Sequence, residues 1–250
     1  MTTLSNNCII NKSLFLHMGL KILEGVKMNM KLFVSAVVKF LSGAVLVSLL
    51  LFLPAGTLSY PNAWLFMGLL FVPMFIAGIL LMIKNPGLLQ KRLNAKESEN
   101  EQKKVIGLSG IMFVLGFIAA GFDFRFKWLV IPNWAVVAAA VIFLIWYILY
   151  AEVLRENTYL SRTIEVQENQ KVIDSGLYGI VRHPMYAVTL GLFLSMPLVL
   201  GSVFSFVIFL VYPFIIARRI KNEEEVLERE LDGYSEYKKK VKYRLVPFIW

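Results

Sequence analysis

The sequence predicts an all-α integral membrane protein with about four transmembrane helices, a C-terminal helical hairpin and a cytoplasmic tail helix. Three observations carry this prediction. The 250 residues are 58% hydrophobic and only 17% charged, with mean hydropathy +0.65, whereas a soluble domain carries roughly 25% charged and roughly 45–50% apolar residues. The apolar excess falls in blocks of the length that crosses a bilayer, about 20 residues per helix. The net charge of +9 sits mostly in loops and tails beside those blocks. That is the pattern of anchoring against anionic headgroups on the cytoplasmic side, and nothing in the chain resembles a nucleic-acid module.

Taken in order, residues 1–30 form a mixed N-terminal extension in which Lys12, Lys21, Glu24 and Lys27 interrupt short apolar patches. Leu16, Leu20, Leu23 and Lys27 share one face of an interfacial amphipathic helix. The equal alternative is an upstream start codon, with the working protein beginning near Met28 or Met30. Residues 31–154 hold four spans. The first runs from about Leu32 to Leu53, closed by Pro54 and Gly56, with Lys39 snorkelling toward its N-terminal end. The second covers about Ala63 to Ile83, with Trp64 at the interface. A polar loop, Lys84 to Lys104, precedes a third span at about Val105 to Phe122. After the Asp123–Lys127 link and Pro132, a fourth runs from about Trp134 to Leu154.

The last apolar segment, 187–217, is too long for one straight span and contains Pro197, Gly201 and Pro213. Two short helices with a turn near Pro197–Gly201 fit it, because Pro and Gly break helices where neighbours can satisfy the backbone. Charge agrees. With the N-terminus inside, the basic 84–104 loop and the 155–185 segment fall inside. A hairpin then returns the tail, with Arg218, Arg219, Lys238, Lys239 and Lys240, to the same side. Both termini and both polar flanks of the hairpin are thus expected at the cytoplasmic face.

Those flanks hold the residues that carry chemistry. The run 176–186, Gly-Leu-Tyr-Gly-Ile-Val-Arg-His-Pro-Met-Tyr, precedes the hairpin, and Arg218, Arg219 and Glu223 to Glu225 follow it. Unpaired polar groups are expensive at a membrane border and usually mark a site. His183, biased from helical geometry by Pro184, serves either a ligand, by hydrogen bonding or proton transfer, or the capping of a helix end. Arg182 pairs with an anionic group or anchors the positive-inside face, as do Arg218 and Arg219. Glu223, Glu224 and Glu225 read as a solvated helix face, or as a carboxylate for a cationic cofactor. Tyr178 and Tyr186 are interface aromatics or pack on a ring or cation. Gly176 and Gly179 suggest a turn with close backbone approach. The lone Cys8 offers no intramolecular disulfide, and His17 and His183 are too few for a histidine-rich metal site. No metal is expected, and no Gly-rich nucleotide motif is present.

From about Asn157 to its end the chain resembles the isoprenylcysteine carboxyl methyltransferase family, within the wider group that includes phospholipid N-methyltransferases. The resemblance rests on Gly176-x-Tyr178, Arg182-His183-Pro184-x-Tyr186, the hairpin, Glu223-Glu224, Tyr234-x-x-Tyr237 and the terminal run Val241 to Pro247. It implies a membrane enzyme that takes a methyl group from S-adenosylmethionine, with 155–250 as its core. Carried over by position, Gln170, Lys171, Val172 and Ile173 would line the cofactor and Tyr178 would pack nearby. His183, Pro184, Met185 and Tyr186 would form a second wall, and Glu223 or Glu224 would bind a polar group of the cofactor. Arg219 would face the acceptor's carboxylate, with His183 as the base where the acceptor must lose a proton. The family's eukaryotic enzymes carry a histidine at the position of Gln170, and the front half of the chain shows no matching motif. The implied acceptor is a lipophilic small molecule or a lipidated substrate, of isoprenylcysteine type or similar. The alternatives are a phospholipid amine or small thiol as acceptor, an NADPH-dependent membrane reductase of the sterol-reductase kind, and a non-enzymatic membrane protein. Oligomeric state is not legible.

Overall fold

The computed structural model describes residues 30–93, 100–160 and 166–250. The N-terminal extension, with its two readings, lies outside the described residues up to position 29. The chain divides into a unit ending at Leu41 and a second unit, Ser42–Trp250. The described part of the first is the helical stretch from Met30 to Leu41, and the site lies wholly in the second.

All regular structure among the described residues is helical, and the expected spans are present with slightly longer ends. They are α1 (Met30–Ala55), α2 (Pro61–Lys84), α4 (Asn100–Phe126) and α5 (Asn133–Glu156). Each is long and apolar enough to cross a membrane, as is the combined stretch Val203–Glu230. The protein is therefore read as a multi-pass integral membrane protein. Inside the polar loop, where no element was expected, Pro86–Leu93 forms a short helix, α3. Pro86 supplies a pre-organised first turn, and the Asn85 side chain accepts from the Leu88 N–H at 3.0 Å.

The hairpin is present, with its turn slightly later than the sequence suggested. Helix α6 (Pro184–Val199) keeps Pro197 within its last turn. The chain reverses at Leu200–Ser202, where Gly201 takes φ +78°. The Ser202 hydroxyl then accepts the Ser205 N–H at 3.1 Å and caps α7 (Val203–Phe209). A break at Leu210–Val211 separates α7 from α8 (Tyr212–Glu230). Pro213 accounts for it, since proline donates no hydrogen bond and crowds the carbonyl four residues back. At 16 residues, α6 is roughly 24 Å long, short of the ~30 Å hydrocarbon core. A last helix, α9 (Tyr234–Lys240), follows Gly233.

The core holds these helices in register. α5 packs on α6, and α4 packs on α7 and α8. Phe66 of α2 meets Phe117 of α4 and Phe143 of α5 at centroid distances of 5.7 and 6.2 Å. Phe113 meets Phe193 and Phe209 edge-on at 4.8 and 5.3 Å. Close approach depends on glycine at two contacts: a Cβ on Gly191 would stand 2.1 Å from the Trp146 ring, and one on Gly116 2.3 Å from Phe209. The result places the start of α6 and the polar half of α8 side by side at the end of the bundle where α2 and α5 also finish.

Candidate functional site

The chain leaves α5 at Asn157 and returns to the bundle through the turn Gly176–Gly179. Gly176 takes φ +57°, and a Cβ there would lie 1.8 Å from the Glu156 carboxylate. That space lets both Glu156 oxygens accept the Leu177 N–H, at 3.1 and 3.0 Å. Asn157 Nδ2 donates to the Tyr178 hydroxyl at 3.1 Å, and the Tyr237 hydroxyl donates to the Tyr178 carbonyl at 2.7 Å. Burial pushes the Tyr178 phenol well above its ordinary range, so it stays protonated. The intervening loop is held from two sides. Lys91 of α3 donates to Gln167, which donates to the Tyr159 carbonyl at 2.6 Å. Lys240 of α9 pairs with Asp174 at 2.6 Å and holds that carboxyl below the usual carboxylate range.

Behind this loop sits a buried charge cluster. Arg182 Nε donates to Glu224 Oε1 at 2.7 Å, and Arg182 Nη1 donates to the carbonyls of Val241 and Lys242 at 2.7 and 2.8 Å. Arg244 Nε donates to Glu224 Oε2 at 2.9 Å. His183 Nε2 lies 3.3 Å from Glu224 Oε1. A carboxylate only accepts, so Nε2 carries the proton in this pair, and a neutral His183 keeps its lone pair on Nδ1. The backbone adds two ties, from the Arg182 and His183 N–H groups to the carbonyls of Tyr243 and Arg244, both at 2.9 Å. The C-terminal run that the sequence marked is thus the clamp around Arg182. Arg182 itself is 7% exposed and Glu224 3%. The anchoring reading of Arg182 and the solvated-face reading of Glu224 both give way to an internal ion pair.

In front of the cluster lies a cavity of about 500 Å³, within the range of roughly 300–1,000 Å³ typical of small-molecule sites. Glu223 and Arg219 of α8 face it together with Tyr186 of α6. The Tyr186 hydroxyl accepts from Arg219 Nε at 2.8 Å and donates to Glu223. Tyr234, 4% exposed, also lines the cavity, and its buried hydroxyl has no hydrogen-bond partner among the described residues. Burial raises this phenol too, leaving a protonated donor. The cavity turns apolar along Phe113 of α4, Phe193 of α6 and Ile216 of α8.

The structure therefore brings Gln170, Lys171, Val172, Ile173, Tyr178, His183, Met185, Tyr186, Arg219 and Glu223 to one cavity. Pro184 starts α6 beside it. Glu224 is not in its lining and faces the cluster behind. Sequence reading missed Arg92 of α3 and Ser109 and Gly110 of α4, which form another wall. The even pattern of basic residues in 84–104 gave no way to single out Arg92. Arg244 was quoted only as part of a terminal run, and its ion pair depends on the tail folding back.

Residues 136–229 match the family model described as the isoprenylcysteine carboxyl methyltransferase (ICMT) family. The match opens within α5, earlier than the resemblance noted at Asn157, and stops before Tyr234, so α9 and the terminal run lie beyond it. A stretch of 91 residues is 28% identical to the Delta(14)-sterol reductase of Mus musculus, covering 35% of this chain and 22% of that protein. The residues that carry this likeness to the isoprenylcysteine carboxyl methyltransferase family, 136–229, build the His183–Tyr186 and Arg219–Glu223 walls of the cavity.

Proposed function

We propose that the protein is an S-adenosylmethionine-dependent methyltransferase that acts on a lipophilic acceptor, of isoprenylcysteine-carboxylate type or similar. The observation that carries the reading is one cavity with a polar end formed by Glu223, Tyr186, Arg219 and Tyr234 and an apolar end formed by Phe113, Phe193 and Ile216. The polar end suits the cofactor's groups. Glu223 offers a carboxylate to a cation, and the unpartnered Tyr234 hydroxyl is a donor whose burial is costly until something accepts from it.

S-adenosylmethionine supplies an electrophilic methyl group on its sulfonium. The chain's part is to hold the acceptor in line with that group and exclude water. A carboxylate acceptor is ionised at neutral pH and needs no base. For an amine or thiol, His183 Nδ1 is the candidate base, fixed in orientation by the contact of Nε2 with Glu224. Arg219, steadied by Tyr186, would meet an acceptor carboxylate. Lys84, Lys91, Arg92, Lys103 and Lys104, with Arg155, Lys171 and Arg218, lie toward the site's end of the bundle, which supports a cytoplasmic orientation for the cofactor entrance and for both termini.

Calorimetric titration of S-adenosylmethionine and S-adenosylhomocysteine into the detergent-purified protein tests this. Micromolar binding that Glu223→Gln weakens supports the reading, and no binding to well-folded protein sinks it. The similarity to a sterol reductase favours one second reading, an NADPH-dependent membrane reductase. NADPH binding in place of S-adenosylmethionine would establish that instead.

A further inference from the structure

We propose that Arg92 is a specificity residue that selects a lipophilic acceptor bearing an anionic head, a carboxylate or a phosphate, and holds that head at the α3–α4 wall. This rests on the reading of the cavity as a methyl-transfer site.

Charge balance inside the cavity carries the argument. Arg182 is matched by Glu224, which Arg244 also contacts, and Arg219 reaches Glu223 through Tyr186. Lys171 is exposed, so water meets its charge. Arg92 is half-buried and lines the cavity, yet its partner among the described residues is neutral. It donates to the Tyr150 hydroxyl, and its guanidinium carbon stands 5.7 Å from the Tyr150 ring centroid. A guanidinium withdrawn from water without a carboxylate is costly, and its planar fork fits a carboxylate or phosphate in two-pronged fashion. Tyr150 fixes the side chain in advance, which lowers the entropy lost when an anion arrives.

The wall beside Arg92 agrees. Ser109 and Gly110 line the cavity from α4, and a Cβ on Gly110 would meet nothing within 4 Å, so there is room there. One turn further along α4 the lining becomes Phe113, faced by Phe193. A cation on α3, open space at Gly110 of α4 and an aromatic lining at Phe113 and Phe193, all on one cavity, are what an amphiphile with an anionic head requires. Both α3 and α4 lie outside the residues that match the family model, so this wall is where the chain sets its own selectivity.

The test uses the full chain in neutral maltoside micelles. Binding of dodecanoate, dodecyl phosphate and uncharged methyl dodecanoate is measured by calorimetry, beside S-adenosylhomocysteine in the same samples. Wild type is expected to bind an anionic probe about tenfold or more tighter than the ester. The tighter anion then identifies the head as carboxylate or phosphate. Arg92→Gln should abolish the preference and leave S-adenosylhomocysteine affinity within about twofold, while Arg92→Lys keeps part of it. Tyr150→Phe should weaken the preference and serves if Arg92→Gln does not fold. No preference in wild type, or a preference that survives Arg92→Gln, overturns the proposal. Loss of S-adenosylhomocysteine binding from wild type alone, with the Arg92-dependent preference intact, overturns the methyl-transfer reading and leaves the anion site standing.

Discussion

Arg182 and Glu224 are 42 residues apart in the chain and meet at 2.7 Å, with 5% and 3% of their side chains exposed. This pair joins the segment before the hairpin to the helix after it, and Arg244 adds the C-terminal run. Removing one partner from a buried pair leaves an uncompensated charge and costs about 3–5 kcal/mol. Glu224→Ala is therefore expected to lower the thermal midpoint in detergent strongly, with Arg182→Ala close behind. A double change, Arg182→Met with Glu224→Leu, should recover part of the loss, because both buried charges leave together. A Glu224→Ala protein as stable as wild type would remove the structural role assigned here.

The neighbouring carboxylate behaves differently. Glu223 faces the cavity and Tyr186, not the buried cluster. Glu223→Gln keeps the shape and removes the charge, so stability should change little. A charge-assisted hydrogen bond is worth about 1.5–3 kcal/mol, and S-adenosylhomocysteine affinity is expected to fall roughly 10- to 100-fold on that scale. Calorimetry on the two single variants separates the roles. Equal loss of affinity per degree of destabilisation in both would deny the distinction.

How far the sequence could be read follows from which physical signals are local. The apolar spans are local, since length and hydropathy decide them, and the four helices α1, α2, α4 and α5 stand where the blocks predicted. The hairpin was legible from Pro197, Gly201 and Pro213, although the reversal falls at Leu200–Ser202 because the Ser202 cap and the left-handed Gly201 set it. Adjacent residues Glu223 and Glu224 illustrate the limit. Sequence placed either one on the cofactor, and only the packing of α8 against Arg182 shows which one turns inward. Arg92 was hidden for the same reason: a basic loop reads as solvated until α3 is seen beside Tyr150.

The turn at Gly176 offers a test of the loop. Its φ of +57° disfavours any side chain, and an added Cβ collides with Glu156. Gly176→Ala should release the Leu177 N–H from the Glu156 carboxylate and loosen the segment that carries Gln170 to Ile173. The expected reading is faster hydrogen exchange over 166–181 and weaker S-adenosylhomocysteine binding, with helices α4 and α5 unchanged. Exchange indistinguishable from wild type would show that the turn does not hold the loop.

At the opposite end of the bundle the hairpin reversal is held by side chains far from the cavity. The Tyr60 hydroxyl donates to the Leu200 carbonyl at 2.6 Å, and the Ser202 hydroxyl donates to Asp123 at 2.6 Å. All three of these side chains, Tyr60, Asp123 and Ser202, are buried. Tyr60→Phe removes the stronger donor to a buried carbonyl, leaving it to Asn62 at 3.5 Å. Loss of such a bond costs about 1–3 kcal/mol. Ser202→Ala should cost a similar amount, because it removes both the α7 cap and the bond to Asp123. Neither change touches the polar end of the cavity. Both variants are therefore expected to melt earlier while binding S-adenosylhomocysteine with wild-type affinity below their transition. A selective loss of binding without a change in melting would mean that the reversal is coupled to the site, and that α6 transmits strain from one end of the hairpin to the other.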